Sequence, residues 1–451
     1  MKHKLSIKEI IAVGSMLFGL FFGAGNLIFP VHMGQLAGSQ SILASLGFIV
    51  TGAGLPLLGV VAMGISRSDS LQEMASHVGK GYSVFFSVLL LLTIGPFFAI
   101  PRCATTAFTV GIEPLFTNVN SQLLLLMFSV FYFALVLAFS LKPSGILKWI
   151  GKIINPIFLV LLGILIVMSI VKPMGSITSV EATGDYVNNA FFAGFLEGYN
   201  TMDALTGITF GIIVINSIRE LGVKEPTAVA KNTIKAGVVS CGLMGIIYLL
   251  ITLMGAKSMG VLTVSENGGI ALSEIAVHYF GKFGLVILAL TVFLAVFKTS
   301  VGLITSCSEI FHDLFKKVSY KAWAIIFTVI SLVLANLGLT SIIAYSLPVL
   351  MFLYPLAITL ILLCLWGKTF KYDKKVFICV TAFTIVPAIV DACAALPEAT
   401  ISALHLNGFI NTMYSILPLS NIGLGWVVPA AIGLIIGIIL HVTVKKPLAT
   451  N

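Results

Sequence analysis

Two glycines and an asparagine interrupt the first long apolar stretch of this 451-residue chain, in the run Gly23-Ala24-Gly25-Asn26 that Pro30 closes. Glycine costs about 1 kcal/mol relative to alanine inside a helix, so Gly23 and Gly25 predict a break in the helical backbone. A half-helix that starts after such a break presents free N–H groups and about half a positive charge. We therefore interpret these four residues as candidate substrate-binding residues that meet a carboxylate.

The backbone before this break offers the opposite chemistry. Carbonyl groups from Gly19 to Phe22 end the first half-helix with a partial negative charge, which suits a small cation or an ammonium group. The alternative is structural, because Gly19 and Gly23 form a G-x-x-x-G pair of the kind that lets helices pack closely. Asn26 and Pro30 favour the functional interpretation, since helix packing requires neither of them.

A second interruption follows about 175 residues later in the chain. Gly198 permits a close backbone approach, and Tyr199 offers a ring wall with one polar tip. We place Asn200 and Thr201 with them as candidate substrate-binding residues. In the alternative, Asn200 caps the following half-helix with Asp203 three residues on, which requires no contact with a ligand.

A third group of polar atoms follows helical spacing. Val296, Thr299 and Ser300 stand at i, i+3 and i+4, which brings one carbonyl and two hydroxyl groups to one helix face. Hard oxygen ligands of this kind are what a sodium ion needs. In the alternative, the two hydroxyls bond back to the carbonyls of Ala295 and Val296, as is common in membrane helices.

The composition shows which elements must position these residues. With 58% hydrophobic residues, 10% charged residues and a mean hydropathy of +1.09, the chain has too little polar surface for a soluble globule. It is predicted to be an all-helical, multi-pass membrane protein. Twelve apolar stretches are long enough to be spans: 8–30, 42–65, 82–111, 121–141, 146–171, 187–218, 233–256, 273–308, 321–337, 341–366, 375–396 and 421–443. The first, third, sixth and eighth exceed the roughly 20 residues of a straight span, so tilts or breaks are expected there.

The basic residues orient these spans. Of the 26 lysines and arginines, 21 fall on the side of the N-terminus, three on the other side (Lys172, Lys257 and Lys282) and two within spans. Basic residues concentrate on the cytoplasmic side of a membrane, so both termini are expected to be cytoplasmic in a cell-membrane protein. The net charge of +9 follows from this topology and indicates no nucleic-acid partner.

Other chemistries have no support in the sequence. The six cysteines lie in or beside apolar stretches without C-x-x-C spacing, and they are interpreted as small buried hydrophobic residues. No hydrolase, zinc-protease or kinase signature occurs, so the chain is predicted not to be an enzyme and to need no cofactor besides a coupling ion.

Three of the charged side chains inside apolar stretches are singled out as candidates for a function. Lys298 lies ten residues before the predicted cytoplasmic end of its span, about 15 Å along a helix and near the middle of a roughly 30 Å hydrocarbon core. An ammonium there costs at least about 2.5 kcal/mol, so it should face a cavity, meet an acid or lose its proton. Arg102 is expected to face the outer vestibule or to make a structural pair. Glu197 has either a functional role or a place in an aqueous vestibule.

At this point the sequence shows a specific resemblance over nearly its whole length. Four motifs carry it: Met16–Pro30 with its Gly-Ala-Gly-Asn run, Gly95–Arg102, Gly198–Asp203, and Val301–Thr305 with Cys307. Together they resemble the bacterial branched-chain amino acid carrier family. The resemblance implies sodium- or proton-coupled import of leucine, isoleucine and valine, within the amino acid–polyamine–cation superfamily that uses the LeuT-type fold.

The resemblance also implies an architecture. In LeuT-type transporters, two inverted repeats of five helices each begin with an interrupted helix, and the binding site lies near mid-membrane. Residues 1–171 would form the first repeat, 187–366 the second, and 375–443 two peripheral helices.

The ligand set and the coupling ion follow from the same resemblance. It implies a sodium site in which Val296, Thr299 and Ser300 join the carbonyls of Gly19 and Phe22. We therefore expect sodium-coupled import of branched-chain amino acids by alternating access, with the substrate, the cation and membrane lipid as partners. Lys298 stands where that family more often has an uncharged residue, so proton coupling through it is the alternative. A receptor or channel without coupled transport is a further alternative, which the two breaks disfavour.

Overall fold

A computed structural model describes residues 4–68, 70–116, 118–141 and 155–443, and within these ranges the chain is helical without a strand. Residues 142–154, which include the start of the fifth predicted span, lie outside the described residues. The α-helices in chain order are α1 (Ile7–Phe21), α2 (Ala24–Ala37), α3 (Ser41–Ile49), α4 (Leu55–Ser66), α5 (Leu71–Ser76), α6 (Lys80–Leu92), α7 (Ala99–Ala107), α8 (Ser121–Ser140), α9 (Asn155–Val171), α10 (Tyr186–Glu197), α11 (Asp203–Glu220), α12 (Pro226–Ser258), α13 (Gly268–Leu314), α14 (Tyr320–Ala335), α15 (Leu339–Trp366), α16 (Lys374–Ala394), α17 (Glu398–Ala403), α18 (Asn407–Ile416) and α19 (Val427–Thr443).

The membrane assignment rests on the length and composition of these helices. Seven helical segments of the described chain are long and apolar enough to cross a bilayer: Ala24–Ser66, Lys80–Leu115, Ser121–Ser140, Thr227–Ser258, Leu288–Leu314, Leu339–Phe370 and Lys374–Ala394. Three shorter apolar helices are Leu159–Val171, Tyr320–Ala335 and Val427–Thr443. A multi-pass membrane protein is thereby supported, whereas twelve spans and two five-helix repeats stay predictions.

All four overlong stretches are interrupted. The first breaks at Phe22 and Gly23, and the sixth breaks between α10 and α11. In the third, Gly95 leaves helical geometry (φ −99°, ψ −121°) just before Pro96, and in the eighth Gly281 has a φ of 60°. This last kink corrects the predicted bounds 273–308, because the continuous part of α13 starts after Gly281 and runs on to Leu314.

Reciprocal glycine contacts pack one half of each broken helix against a neighbour. A Cβ on Gly34 of α2 would overlap the Thr252 carbonyl of α12, and one on Gly255 of α12 would overlap the Val31 carbonyl of α2. The same arrangement joins α3 and α10, where Gly47 meets the backbone of α10 and Gly194 meets the backbone of α3. Small residues let helix backbones approach closely in a membrane, so these contacts fix α2 and α10 firmly.

Candidate functional site

The first break takes its shape from an internal hydrogen bond. Helix α1 ends at Phe21, Gly23 is extended (φ −125°, ψ −157°), and α2 begins at Ala24. The N–H of Gly23 donates to Oδ1 of Asn26 over 2.8 Å. In a continuous helix this N–H would donate to the Gly19 carbonyl, so the asparagine side chain releases that oxygen from its usual helical donor.

The second break has a different local structure. After α10 ends, a single 3₁₀ turn spans Gly198–Thr201, and Met202 then adopts a left-handed conformation (φ 63°) that redirects the chain into α11. The Thr201 hydroxyl donates to the Gly198 carbonyl (2.9 Å) and accepts from the N–H of Asp203 (3.2 Å). The alternative in which Asn200 caps α11 is therefore wrong, because Asn200 points back and donates to the Glu197 carboxyl group (3.3 Å).

A buried polar network joins the two breaks. The Asn26 amide donates through Nδ2 to the Asp203 carboxylate, and also to the Tyr248 hydroxyl on α12 at 2.5 Å. Tyr248 in turn lies 3.3 Å from the same Asp203 oxygen. All three side chains are almost fully buried. Buried polar groups of this kind are costly when unpaired, so the network holds the two helix starts in a defined relation.

The side chain of Arg102, on α7, also lies between the two breaks. Its side chain is 3% exposed, and Nη1 donates to the Asn200 carbonyl in the second break over 2.7 Å. Its guanidinium carbon lies 5.1 Å from the centre of the Phe29 ring on α2. The guanidinium thus lies between the two breaks, and of the two alternatives for Arg102 these buried contacts agree with structural pairing and not with an outer vestibule.

A small cavity of about 40 Å³ lies at this junction. Its lining is Leu20, Phe21, Gly23, Ala24, Gly25, Asn26, Ala99, Arg102, Cys103, Thr201, Met202, Asp203, Thr206, Phe210, Thr299 and Leu303. Since one water needs about 10–15 Å³ of such space, this volume holds about three waters. We name it the central cavity; a ligand of amino-acid size requires its walls to move apart.

The central cavity takes in only part of the predicted substrate-binding set. All four candidates of the first break line it, together with Thr201 of the second break. Gly198 and Tyr199 pack elsewhere. A Cβ on Gly198 would overlap the hydroxyl of Thr51, and the Tyr199 ring stacks on Tyr354 with centroids 3.9 Å apart. Asn200 takes part only through its carbonyl, which accepts from Arg102.

The oxygen atoms of the predicted sodium site have mixed surroundings. Thr299 lines the central cavity, and its hydroxyl donates to the Ala295 carbonyl at 3.3 Å, as the structural alternative proposed. A Cβ on Gly23 would lie 3.6 Å from that hydroxyl, so Thr299 faces the first break. Ser300 instead pairs with the hydroxyl of Tyr132 on α8 at 2.9 Å. Both hydroxyls thus have protein partners, and the sodium site of Gly19, Phe22, Val296, Thr299 and Ser300 stays a prediction.

The remaining intramembrane charges lie outside the cavity lining. Glu197 is half-buried and accepts from Asn200. Lys298 is 9% exposed and lies near the midpoint between Gly281 and Leu314, and its depth in the membrane stays a prediction.

Sequence reasoning missed two functional residues. Asp203 was interpreted only as part of a cap, although an acid within an apolar stretch was a usable signal. Tyr248 carries no local signal, since its role depends on a contact 222 positions away in the chain.

A buried site between two interrupted helices is typical of LeuT-fold transporters, and solved structures of that fold resemble this chain. The inward-facing conformation of Mhp1 aligns with a TM-score of 0.62 at 14% identity, covering 97% of this chain and 91% of that one. MhsT in complex with L-phenylalanine aligns with a TM-score of 0.52 at 17% identity, covering 98% and 100%. The chain therefore has a transporter fold.

The family follows from sequence. Residues 6–444 match the family described as "Branched-chain amino acid transport protein". The branched-chain amino acid permease BrnQ of Lactobacillus delbrueckii subsp. lactis is 46% identical over 448 residues, which cover 99% of this chain and 100% of that protein. The chain belongs to the branched-chain amino acid transport family, whose members are permeases and not enzymes. The predicted family is confirmed.

Proposed function

We propose that this protein imports leucine, isoleucine and valine by alternating access, coupled to sodium entry. The observation that supports it most is the central cavity, where two helix starts, a buried arginine and a buried aspartate meet. An amino acid is a zwitterion, and this junction offers complementary charge to both of its ends.

The substrate carboxylate is assigned to the start of α2. Backbone N–H groups of Ala24 and Gly25 lie at a helix N-terminus, where partial positive charge favours an anion. Arg102 adds a full positive charge to the same cavity. A Cβ on Gly25 would lie 3.2 Å from the Thr201 Cα and 3.3 Å from Arg102 Nη2, so glycine keeps this space clear.

The ammonium group is assigned to the carbonyl end of α1 and to Asp203. The carbonyl end of α1 carries partial negative charge, and the Gly19 oxygen lacks its usual helical donor. Asp203 contributes a carboxylate to the same lining.

Substrate selectivity follows from the rest of the lining. Leu20, Phe210 and Leu303 are apolar, and the one acid of the lining, Asp203, is assigned to the ammonium group, so no acid of the lining is left for a basic side chain. One methylene in an apolar pocket is worth about 1–3 kcal/mol, so discrimination among leucine, isoleucine and valine should be modest. In a competition assay of leucine uptake, lysine and glutamate should compete poorly. Competition by either as strong as that of unlabelled leucine contradicts this selectivity.

The sodium ion is assigned to the oxygens of Thr299, Ser300, Val296, Gly19 and Phe22. The position of Thr299 beside the first break supports this assignment. Ser300 can keep its hydrogen bond to the Tyr132 hydroxyl as the donor while a lone pair of its oxygen binds the ion.

One observation favours a proton as the coupling ion instead. Lys298 is buried near the middle of α13, beside Thr299 in sequence, where its ammonium is expensive to keep charged. A lysine in such surroundings can gain and lose a proton during a transport cycle.

Uptake into proteoliposomes separates the two schemes. Under sodium coupling, leucine uptake should collapse when choline replaces sodium at fixed pH. The Thr299→Ala/Ser300→Ala variant should need far more sodium while keeping its leucine affinity at saturating sodium. Sodium-independent uptake that responds to a proton gradient and is lost in Lys298→Met establishes the proton scheme. Failure to concentrate leucine under either gradient makes the protein a channel or receptor.

A further inference from the structure

A second, larger cavity lies away from the central one, between α10, α15, α16 and the chain that follows α18. It has a volume of about 380 Å³, within the roughly 300–1,000 Å³ that is usual for small-molecule sites. Its lining is Asp185, Asn189, Phe192, Ala193, Leu196, Leu347, Met351, Asp391, Ala394, Ala395, Tyr414, Ser420, Asn421, Ile422 and Gly423. We name it the lateral cavity; it shares no lining residue with the central cavity.

Asp391 is the distinctive residue of the lateral cavity. It lies in the last turn of α16 and is 4% exposed. Its Oδ1 accepts a long hydrogen bond of 3.5 Å from the Tyr414 hydroxyl, whereas its buried Oδ2 has no hydrogen-bond partner within the described chain. Protonation does not remove the problem, because an Oδ2 hydroxyl would lack an acceptor among the same residues. A buried carboxyl oxygen without a partner is unfavourable, and a ligand in the lateral cavity can supply the missing donor once the wall opens to that atom.

The charges around Asp391 define what that ligand must carry. Asp185 is exposed and adds a second carboxylate to the lining, and no lysine, arginine or histidine lines the cavity. Two acids without a base attract a cation and disfavour an anion.

The other walls define the body of the ligand. The side chains of Phe192, Leu196, Leu347, Met351 and Ile422 provide apolar surface. A bare metal ion needs several oxygen ligands and has no use for such walls, whereas a short aliphatic chain does. A primary ammonium group also supplies the hydrogen-bond donor that Oδ2 lacks.

We propose that the lateral cavity is a binding site for an aliphatic primary amine, whose ammonium group bonds to Asp391 and whose hydrocarbon chain lies against the apolar walls. The ligand is an alkylamine without a carboxylate, because the two acids of the lining disfavour an anion. The site is independent of the transport function proposed above, because it lies on residues that take no part in the central cavity.

The choice of probe keeps the two sites apart. 3-Methylbutylamine has the hydrocarbon chain and ammonium group of leucine but no carboxylate, so it cannot use the contacts with α2 and Arg102 that the central site offers, and binding that depends on Asp391 is binding in the lateral cavity. Calorimetric titration of the full chain in nanodiscs should show saturable binding, corrected with empty nanodiscs. 3-Methyl-1-butanol, which has the same chain without the charge, should not bind. Equal binding of amine and alcohol, or binding no greater than in empty nanodiscs, overturns the proposal.

Variants test the role of Asp391. Asp391→Asn removes the negative charge with little change in shape and should weaken amine binding by about tenfold or more, since a charge-assisted bond is lost. Asp391→Glu should retain most of the affinity. The matched control is Asp373→Asn, at the opposite end of α16, where the aspartate pairs with His441 and lines neither cavity. Unchanged binding in Asp391→Asn contradicts the proposal.

Two further measurements complete the test. Saturable leucine binding by Asp391→Asn shows that the variant is folded; if it is not, the comparison of amine and alcohol on the unmodified chain decides. A leucine titration in the presence of the amine tests the exclusion of carboxylates, because leucine should not displace amine that is bound at Asp391; such displacement contradicts the proposal. Displacement of the amine by sodium through Asp391 would instead make this a metal-ion site and overturn the proposal.

Discussion

Both breaks interrupt an apolar helix and reach the central cavity, but different contacts hold each of them in its non-helical conformation. At the first, an asparagine takes the N–H of Gly23 out of the helix, and four successive residues face the central cavity. At the second, the chain turns through a 3₁₀ segment and the left-handed Met202, and its first three residues are turned away from the cavity. The first break presents backbone groups to the central cavity, whereas the second presents mainly the side chains of the residues at the start of α11.

This difference indicates a division of roles. The first break supplies directional N–H and carbonyl groups, which need glycine to let a ligand approach. The second supplies a fixed wall, because Gly198 is pressed against Thr51 and Tyr199 is stacked on Tyr354. Substitutions in the first should therefore damage binding, and substitutions in the second should damage packing.

The largest effect is expected from Gly25→Val. Its side chain would meet Thr201 and Arg102, so leucine uptake into proteoliposomes should fall at least about 100-fold, equivalent to about 2.7 kcal/mol, while membrane insertion is unchanged. Gly242→Val is the matched control, because a Cβ on Gly242 has open space around it. Normal uptake by Gly25→Val at wild-type expression would show that this glycine serves packing and not the substrate.

A somewhat smaller effect is expected from Arg102→Gln. The substitution removes the positive charge and weakens the hydrogen bond to the Asn200 carbonyl. Hydrogen bonds to charged groups contribute about 1.5–3 kcal/mol. The KM for leucine should rise about 10- to 100-fold in transport assays. An unchanged KM with reduced thermal stability would mean that Arg102 only ties the two breaks together.

The connection between the breaks can be measured with a double-mutant cycle of Asn26→Ala and Asp203→Ala. Residues that share a buried hydrogen bond typically show a coupling of about 0.5–3 kcal/mol, here read from leucine Kd values. Asn26→Ala combined with Asp373→Ala serves as the control cycle and should be additive. Additivity in both cycles would mean that the two breaks bind independently.

The smallest effect is expected from Gly198→Ala. The added methyl overlaps the Thr51 hydroxyl, so the thermal midpoint should fall by a few degrees while relative affinities for leucine, isoleucine and valine are retained. Adding Thr51→Ala should restore part of the stability, because it removes the overlapping atom. A change in substrate preference without loss of stability would mean that Gly198 contributes to substrate binding and not only to packing.

The places where helices break were readable from the sequence, since the cost of glycine in a helix is local. Gly23 and Gly198 stand at the two breaks that the sequence predicted, whereas for the third and eighth stretches it predicted only a tilt or a break from their length, and the structure shows these at Gly95 and Gly281. The end of the eighth stretch was placed too early because hydropathy falls before the helix does, and α13 continues to Leu314. The family was equally readable, because its motifs are contiguous runs of residues.

The sequence by itself therefore determined the membrane class, the family and the positions at which the helices are interrupted. Only the tertiary structure decided which polar groups meet. The Asn26 side chain bonds to Asp203, 177 positions away in the chain, and the Arg102 side chain bonds to the carbonyl of Asn200, 98 positions away. It also turned Tyr199 away from the cavity and paired Ser300 with Tyr132. The physical reason is that helix breaking and hydropathy depend on neighbours along the chain, whereas a buried polar group takes whichever partner the packed helices bring within reach.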